Sequence, residues 1–280
     1  PTFHLLDDPW LECGMLDGTV RTLSLQEIAA QLGSIRELRG DWKPQQYALH
    51  RVLLAMFWRA HRDDQPLQNQ RDASRFDKWW VTTRELFQQD PGDTPLRGYL
   101  EQHRDRFALF GPTPFMQVAN LETSKGIYSE VRRLVPEVES DFFTTAAGGG
   151  ATRINFAEAS RWVVSLQAFD YSGIKSGALG DPRVKGGKGY PIGTGWSGMT
   201  GGVLIKGSNL AETLLLNTHP RTDFAPDTAD DLPAWERDPD SAAERPLPHP
   251  TGPCDLLTWQ SRRIRLFTEG DMVTGVLVSN

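Results

Sequence analysis

The stretch best equipped for chemistry runs from Tyr171 to Gly207 and holds nearly half of the chain's 26 glycines. Lys175, Arg183, Lys185, Lys188 and Lys206 are cationic within it, and only Asp181 opposes them. Glycine backbone is unshielded and reaches φ values that other residues avoid, so such a segment can come very close to a partner. Cations on the same segment favour an anionic partner, with phosphate the leading candidate. The plainer reading is a set of hairpin connections.

Other reactive constellations are sought and not found. Gly193-Thr-Gly195-Trp-Ser-Gly198 is a literal GxGxxG, but dinucleotide binding needs a strand before it and a helix after it. Met199-Thr-Gly-Gly opens a helix poorly, and no βαβ pattern surrounds it. A phosphate-cradling P-loop fails because Pro182 occupies the glycine position required before Lys188. Trp196-Ser197-Gly198 resembles a nucleophile elbow, with Met199 where the second glycine belongs. His4, His50, His61, His103, His219 and His249 are scattered without metal-ligand spacing. The expectation is a chain with no catalytic residues, no metal and no cofactor. Leu25 to Gly33 resembles the opening of a helix-turn-helix, but Ser34 to Asp41 is too short for a recognition helix.

The elements that must position the glycine-rich stretch can be read around it. Asp17-Gly18 signals a hairpin between strands near Cys13 and over Thr19 to Leu23, after a first short strand near Phe3. Ser24 and Glu27 form a capping box for a helix ending at Gly33. Pro44 starts a helix whose apolar stripe includes Leu49, Val52, Leu53, Met56 and Phe57, with Arg51, Arg59 and Arg62 opposite. Helices are expected around Trp79 and Trp80, after a Thr94-Pro95 cap, after an Asn155/Glu158 cap, and after an Asn209/Glu212 cap. Val203 to Ile205 reads as a short strand. Gln260 to Phe267 and Met272 to Val278 read as a hairpin about Glu269-Gly-Asp. Residues 218–253 are acidic and proline-rich, and read as a surface excursion partly ordered by Leu232 and Trp235. The whole of 1–280 is read as one α+β domain of mixed helices, short strands and hairpins.

Composition narrows the partners. A formal net charge of −6 excludes a uniformly basic nucleic-acid coat, so any such contact must be a local patch. Two distant cysteines, Cys13 and Cys254, argue against a disulfide framework and for a reducing, cytoplasmic setting. No run is apolar enough to span a membrane, and acidic residues interrupt the start where a signal peptide would lie.

Leu5-Leu-Asp-Asp-Pro-Trp10, Pro114-Phe-Met-Gln117, the glycine stretch leading to Leu214-Leu-Leu-Asn217, and Asp255-Leu-Leu-Thr-Trp-Gln-Ser-Arg-Arg-Ile-Arg-Leu266 together resemble the CasA family. CasA is the large subunit of Cascade, the type I-E CRISPR surveillance complex used in antiviral defence. The resemblance implies an α+β N-terminal domain, here without the family's C-terminal four-helix bundle, in a chain that looks cut from a longer protein. It implies a non-catalytic subunit that binds double-stranded target DNA, inspects it for a protospacer-adjacent motif, contacts the guide RNA 5′ end and other Cascade subunits, and helps recruit the helicase-nuclease. The family's minor-groove glycine loop matches Gly193, Thr194, Gly195 and Trp196, with Lys185, Lys188 and Lys206 placed to meet phosphates. A second family loop, near the guide RNA end, matches Phe142, Phe143, Thr144 and Thr145, with Arg153 beyond its glycines. A narrow minor groove admits bare backbone and carries a degenerate code, as suits a scanning protein. The sequence departs from the family where a motif-reading lysine belongs: Thr268, Glu269 and Asp271 stand there, and the partnering asparagine's place lies beyond Asn280. The family's occasional cysteine cluster is also missing. A nucleotide- or phosphate-binding enzyme using the same glycine stretch is the alternative.

Overall fold

The computed structural model describes residues 1–63, 73–135, 152–219 and 230–280. Strands β1 (Leu11–Met15), β2 (Val20–Leu23) and β3 (Ile35–Leu38) form an antiparallel sheet in the order β2-β1-β3. Asp17 closes the β1–β2 turn by accepting the Thr19 N–H and hydroxyl, at 2.9 and 2.7 Å. Ser24 and Glu27 make both halves of the capping box on helix α1 (Leu25–Ala29). After a 3-10 turn over Leu32–Ser34, the chain from Ile35 to Leu38 is strand rather than helix, which removes the helix-turn-helix. Near Phe3 there is no strand, only a single bridge from His4 to Ala108.

Helix α2 (Lys43–Ala60) carries Pro44 in its first turn and buries Leu49, Val52, Leu53, Met56 and Phe57. Helices α3 (Ala73–Gln89) and α4 (Thr94–Gln102) follow. The cap of α4 is Asp93 rather than Thr94: its Oδ1 accepts the Leu96 N–H at 2.9 Å, while its Oδ2 lies 2.8 Å from His61 Nε2. A carboxylate can hold a helix end and a neighbouring ring together, which a threonine hydroxyl cannot match.

The second sheet is antiparallel, with β9 (Met272–Ser279) flanked by β8 (Arg263–Glu269) and by the two-residue strands β4 (Ser129–Glu130) and β5 (Ile154–Asn155). The β8–β9 hairpin runs in register from Arg263↔Ser279 to Glu269↔Met272. Asn155 caps helix α5 (Phe156–Phe169), whose Trp162, Val163 and Leu166 pack into the same core as α2, with Trp42 and Trp162 ring centroids 6.2 Å apart. This fold is α+β. A smaller cluster of Val118, Leu121, Ala178 and Leu277 fastens the start of the glycine-rich segment to β9.

Two further expectations are corrected. Val203 to Ile205 is not a strand; Val203 is 85% exposed, and Ile205 is held by the Asn217 side chain instead of a ladder. The stretch from residue 230 to 253 is less of an excursion than its composition suggests. Ala234 and Trp235 are buried, and Glu236 takes Arg59 and the Tyr99 hydroxyl at 2.5 Å each. Residues 220–229 lie outside the described ones.

Candidate nucleic-acid interface

The glycine-rich segment lies at the surface, fixed at a few points. Strands β6 (Lys175–Ser176) and β7 (Lys188–Gly189) pair antiparallel. Between them, Lys185 and Lys188 exchange backbone hydrogen bonds at 3.1 Å in each direction. Gly186 and Gly187 form the tip with φ of +58° and +74°. Positive φ at both central residues defines a type I′ turn, whose twist suits a tight hairpin and which Gly-Gly favours. Lys185 and Lys188 are exposed on either side of this tip. Among the described residues neither makes an ion pair.

Lys206, Lys175 and Arg183 are in a different state. Lys206 Nζ lies 2.5 Å from Glu37 Oε2. Arg183 holds Asp181 and Glu244, each at 3.0 Å. Lys175 is buried, with its ammonium 3.7 Å from the Tyr171 ring centroid. Its Nζ also lies 3.1 Å from Asp170 Oδ2, an ion pair without hydrogen-bond alignment.

Asp170, the residue after α5, organises the segment. Arg262 Nε donates to its Oδ2 at 2.6 Å and Arg133 Nη2 to its Oδ1 at 2.7 Å. Burial alone would raise this carboxyl, but the Arg133 and Arg262 guanidiniums outweigh burial and hold it below the ordinary aspartate value. Burial, and then the neighbouring Arg133 charge, push Lys175 below the ordinary lysine value. Arg262 is 1% exposed and its Nη2 also donates to Tyr171 O at 3.1 Å and Gly193 O at 2.6 Å. One guanidinium therefore ties residues 171 and 193 to the end of α5 and to the foot of β8.

Gly193, Thr194 and Trp196 are half-buried and Gly195 is buried, so this stretch is less bare than a protruding loop. Gly195 donates its N–H to Asp170 O at 2.9 Å. A Cβ there would sit 2.5 Å from Ala168 O, so this glycine is required by close backbone packing. Trp196 opens a helical turn, α6 (Trp196–Thr200), in spite of the glycines that follow. Arg51 donates to Ser197 Oγ at 2.5 Å and to Leu256 O at 2.7 Å, anchoring that turn from α2. The GxGxxG therefore does open a helix, but only one of five residues. Only the two-residue β7 comes before it, ending four residues short of Gly193, and Arg262 occupies the Gly193 carbonyl.

In the sequence Arg262 stands only within the Asp255–Leu266 family motif, and nothing there singles out Asp170. An acid directly after a helix, with an arginine run distant in sequence, is too common a pattern to mark a site by itself. Of the second loop, Phe142, Phe143, Thr144 and Thr145 lie outside the described residues, and Arg153 is exposed. Among the described residues no three acids, histidines or cysteines gather as a metal site, and no helix is long and apolar enough to cross a membrane.

The family model for CRISPR-associated protein Cse1 matches residues 4–280. The chain belongs to the Cse1 family. A curated relative, CasA/Cse1 of Thermus thermophilus, is 31% identical over 97% of this chain and 50% of its own length. Among solved structures, Cse1 of Thermobifida fusca superposes with a TM-score of 0.88 at 42% identity, covering all of this chain and 52% of that one. A chain of a CRISPR RNA-guided surveillance complex, 20% identical, shares the fold with a TM-score of 0.74 over 100% of this chain and 56% of that one. The chain thus spans about half the length of the proteins it matches. The Cse1 landmarks in the sequence are largely core: Leu5, Leu6 and Trp10 are buried, and the Gln117 amide joins Leu109 O to the Leu266 N–H.

Proposed function

We propose that this Cse1-family chain is the N-terminal part of the large subunit of a CRISPR surveillance complex, a non-catalytic part that recognises nucleic acid. In this reading it inspects double-stranded DNA for a protospacer-adjacent motif. The 193–196 stretch approaches the minor groove while Lys185 and Lys188 meet phosphates. Phosphate contacts fix register and carry no sequence information, whereas the minor groove offers a degenerate code, so the division of labour suits tolerant scanning. Phe142, Phe143, Thr144, Thr145 and Arg153 would face the guide RNA 5′ end or a neighbouring subunit. Recruitment of the helicase-nuclease would follow from the assembled complex.

The observation that carries this reading is the Lys185–Lys188 hairpin. Two cations without acid partners among the described residues stand on a tight two-residue turn, in a chain whose net charge is −6. Lys206 is assigned a lesser part, because Glu37 already neutralises it.

A photocrosslinking residue placed at position 188, and separately at 194, of the full-length protein in its complex tests the reading. Position 188 is expected to label the DNA backbone near the motif, and position 194 the minor-groove face of the motif itself. Labelling confined to protein or guide RNA would remove the assignment.

A further inference from the structure

A cleft of about 240 Å³ lies beside the glycine-rich segment, lined by Ile192, Thr194 and Trp196 from that segment and by Arg245, Trp259 and Gln260 from the chain before β8. That volume is below the roughly 300–1,000 Å³ of pockets for drug-sized ligands, so it suits one ring system. Gln260 is only 7% exposed, yet its side-chain amide makes no hydrogen bond to any described residue. The residue is buried as a whole, but its amide atoms are not sealed from solvent. Gln260 also borders a neighbouring cavity of about 20 Å³, which is too small for a ring, so a ring can meet this amide only from the larger cleft.

The charges decide what that is. Four arginines reach the lining, and each already has an acid: Arg183 has Asp181 and Glu244, Arg245 has Asp255, Arg262 has Asp170, and Arg263 has Asp240. A phosphate would find no free cation and would meet Glu244. A neutral flat ring finds better partners. Trp196 and Trp259 present indoles, and Arg245 Cζ lies 4.4 Å from the Trp259 ring centroid. Aromatic and guanidinium planes are the surfaces on which proteins stack unpaired bases, each stack contributing about 1–3 kcal/mol. An amide offering one donor beside one acceptor matches the edge of a base.

We infer that this cleft holds a single unpaired nucleobase, stacked on indole and hydrogen-bonded by the Gln260 amide. The inference rests on the nucleic-acid reading, because Trp196 belongs to both sites. It adds that the protein captures a base that has left its duplex, at a place separate from the phosphate contacts of the hairpin.

The test uses the full-length protein and three duplexes of one sequence: fully paired, carrying one unpaired 2-aminopurine, and carrying an abasic site at that position. The unpaired duplex is expected to bind about tenfold tighter than the abasic one, with quenched 2-aminopurine fluorescence. Gln260→Leu should abolish that preference and leave affinity for the paired duplex unchanged. Equal affinity of the unmodified protein for unpaired and abasic duplexes overturns the inference without recourse to any variant. So does a preference that survives in Gln260→Leu. In the unmodified protein, absence of the preference with paired-duplex binding intact overturns the inference and leaves the duplex reading standing, whereas absence of binding to all three duplexes defeats both.

Discussion

Arg262 Nη2 donates to the carbonyl of Gly193 at 2.6 Å while Nε of the same guanidinium holds Asp170 at 2.6 Å. The glycine-rich segment is therefore braced from inside the protein before any partner arrives. Glycine segments lose much conformational entropy when ordered. A segment ordered in advance has less to lose on binding, which raises affinity.

Replacing Arg262 by Gln should expose this brace. Asp170 would keep Arg133 and Lys175, so the expected loss of stability is about 3 kcal/mol, the low end for breaking a buried pair. Urea unfolding measures it. Amide exchange at residues 190–196 should quicken more than exchange in α5, and uniform quickening would deny a local brace.

Two glycine substitutions should separate packing from conformation. Gly195→Ala pushes a methyl against the Ala168 carbonyl, and overpacking of this kind costs about 1–3 kcal/mol. Gly187→Ala meets nothing within 4 Å and bears only the strain of a positive φ, about 1–2 kcal/mol. Gly187→Asn should restore most of that loss, because asparagine tolerates this turn. Melting temperatures rank the three variants.

His50 makes stability fall on acidification. Burial drives its pKa down to about 4 from 6.5, although the Gln46 carbonyl opposes this at 2.7 Å from Nδ1. Between those pH values the unfolded chain binds a proton that the folded one refuses. Stability from this source is complete above pH 6.5 and is lost as pH falls towards 4, by roughly 3 kcal/mol in all. His50→Gln should flatten the pH dependence of the urea midpoint in that window. An unaltered slope would mean that other groups set it.

Much of the frame was legible because local chemistry dictates it. Ser24 with Glu27, Pro44, Asn155 and Asn209 each mark a helix start by satisfying or omitting the same unpaired N–H groups. Asp17-Gly18 and Glu269-Gly-Asp mark hairpins for the same kind of reason. What stayed hidden depends on contacts distant in sequence. Asp93 outcompeted Thr94 as a cap because His61, 32 residues away, uses its second oxygen. Lys206 reads as a free cation in the sequence, and only the fold brings Glu37, 169 residues away, beside it. Trp196 could open a helix because Gly195 packs on α5 and Arg51 grips Ser197, neither of which a window of sequence contains.

The most direct test of the account is the salt dependence of target-duplex binding by the complex assembled with the full-length protein, compared with Lys185→Gln/Lys188→Gln. Each lost phosphate contact lowers the slope of log K against log salt by about 0.9, so the double variant should lower it by about 1.8. Its affinity should fall for motif-bearing and motif-free duplexes alike. An unchanged slope, with affinity intact, would contradict the claim that this hairpin meets DNA.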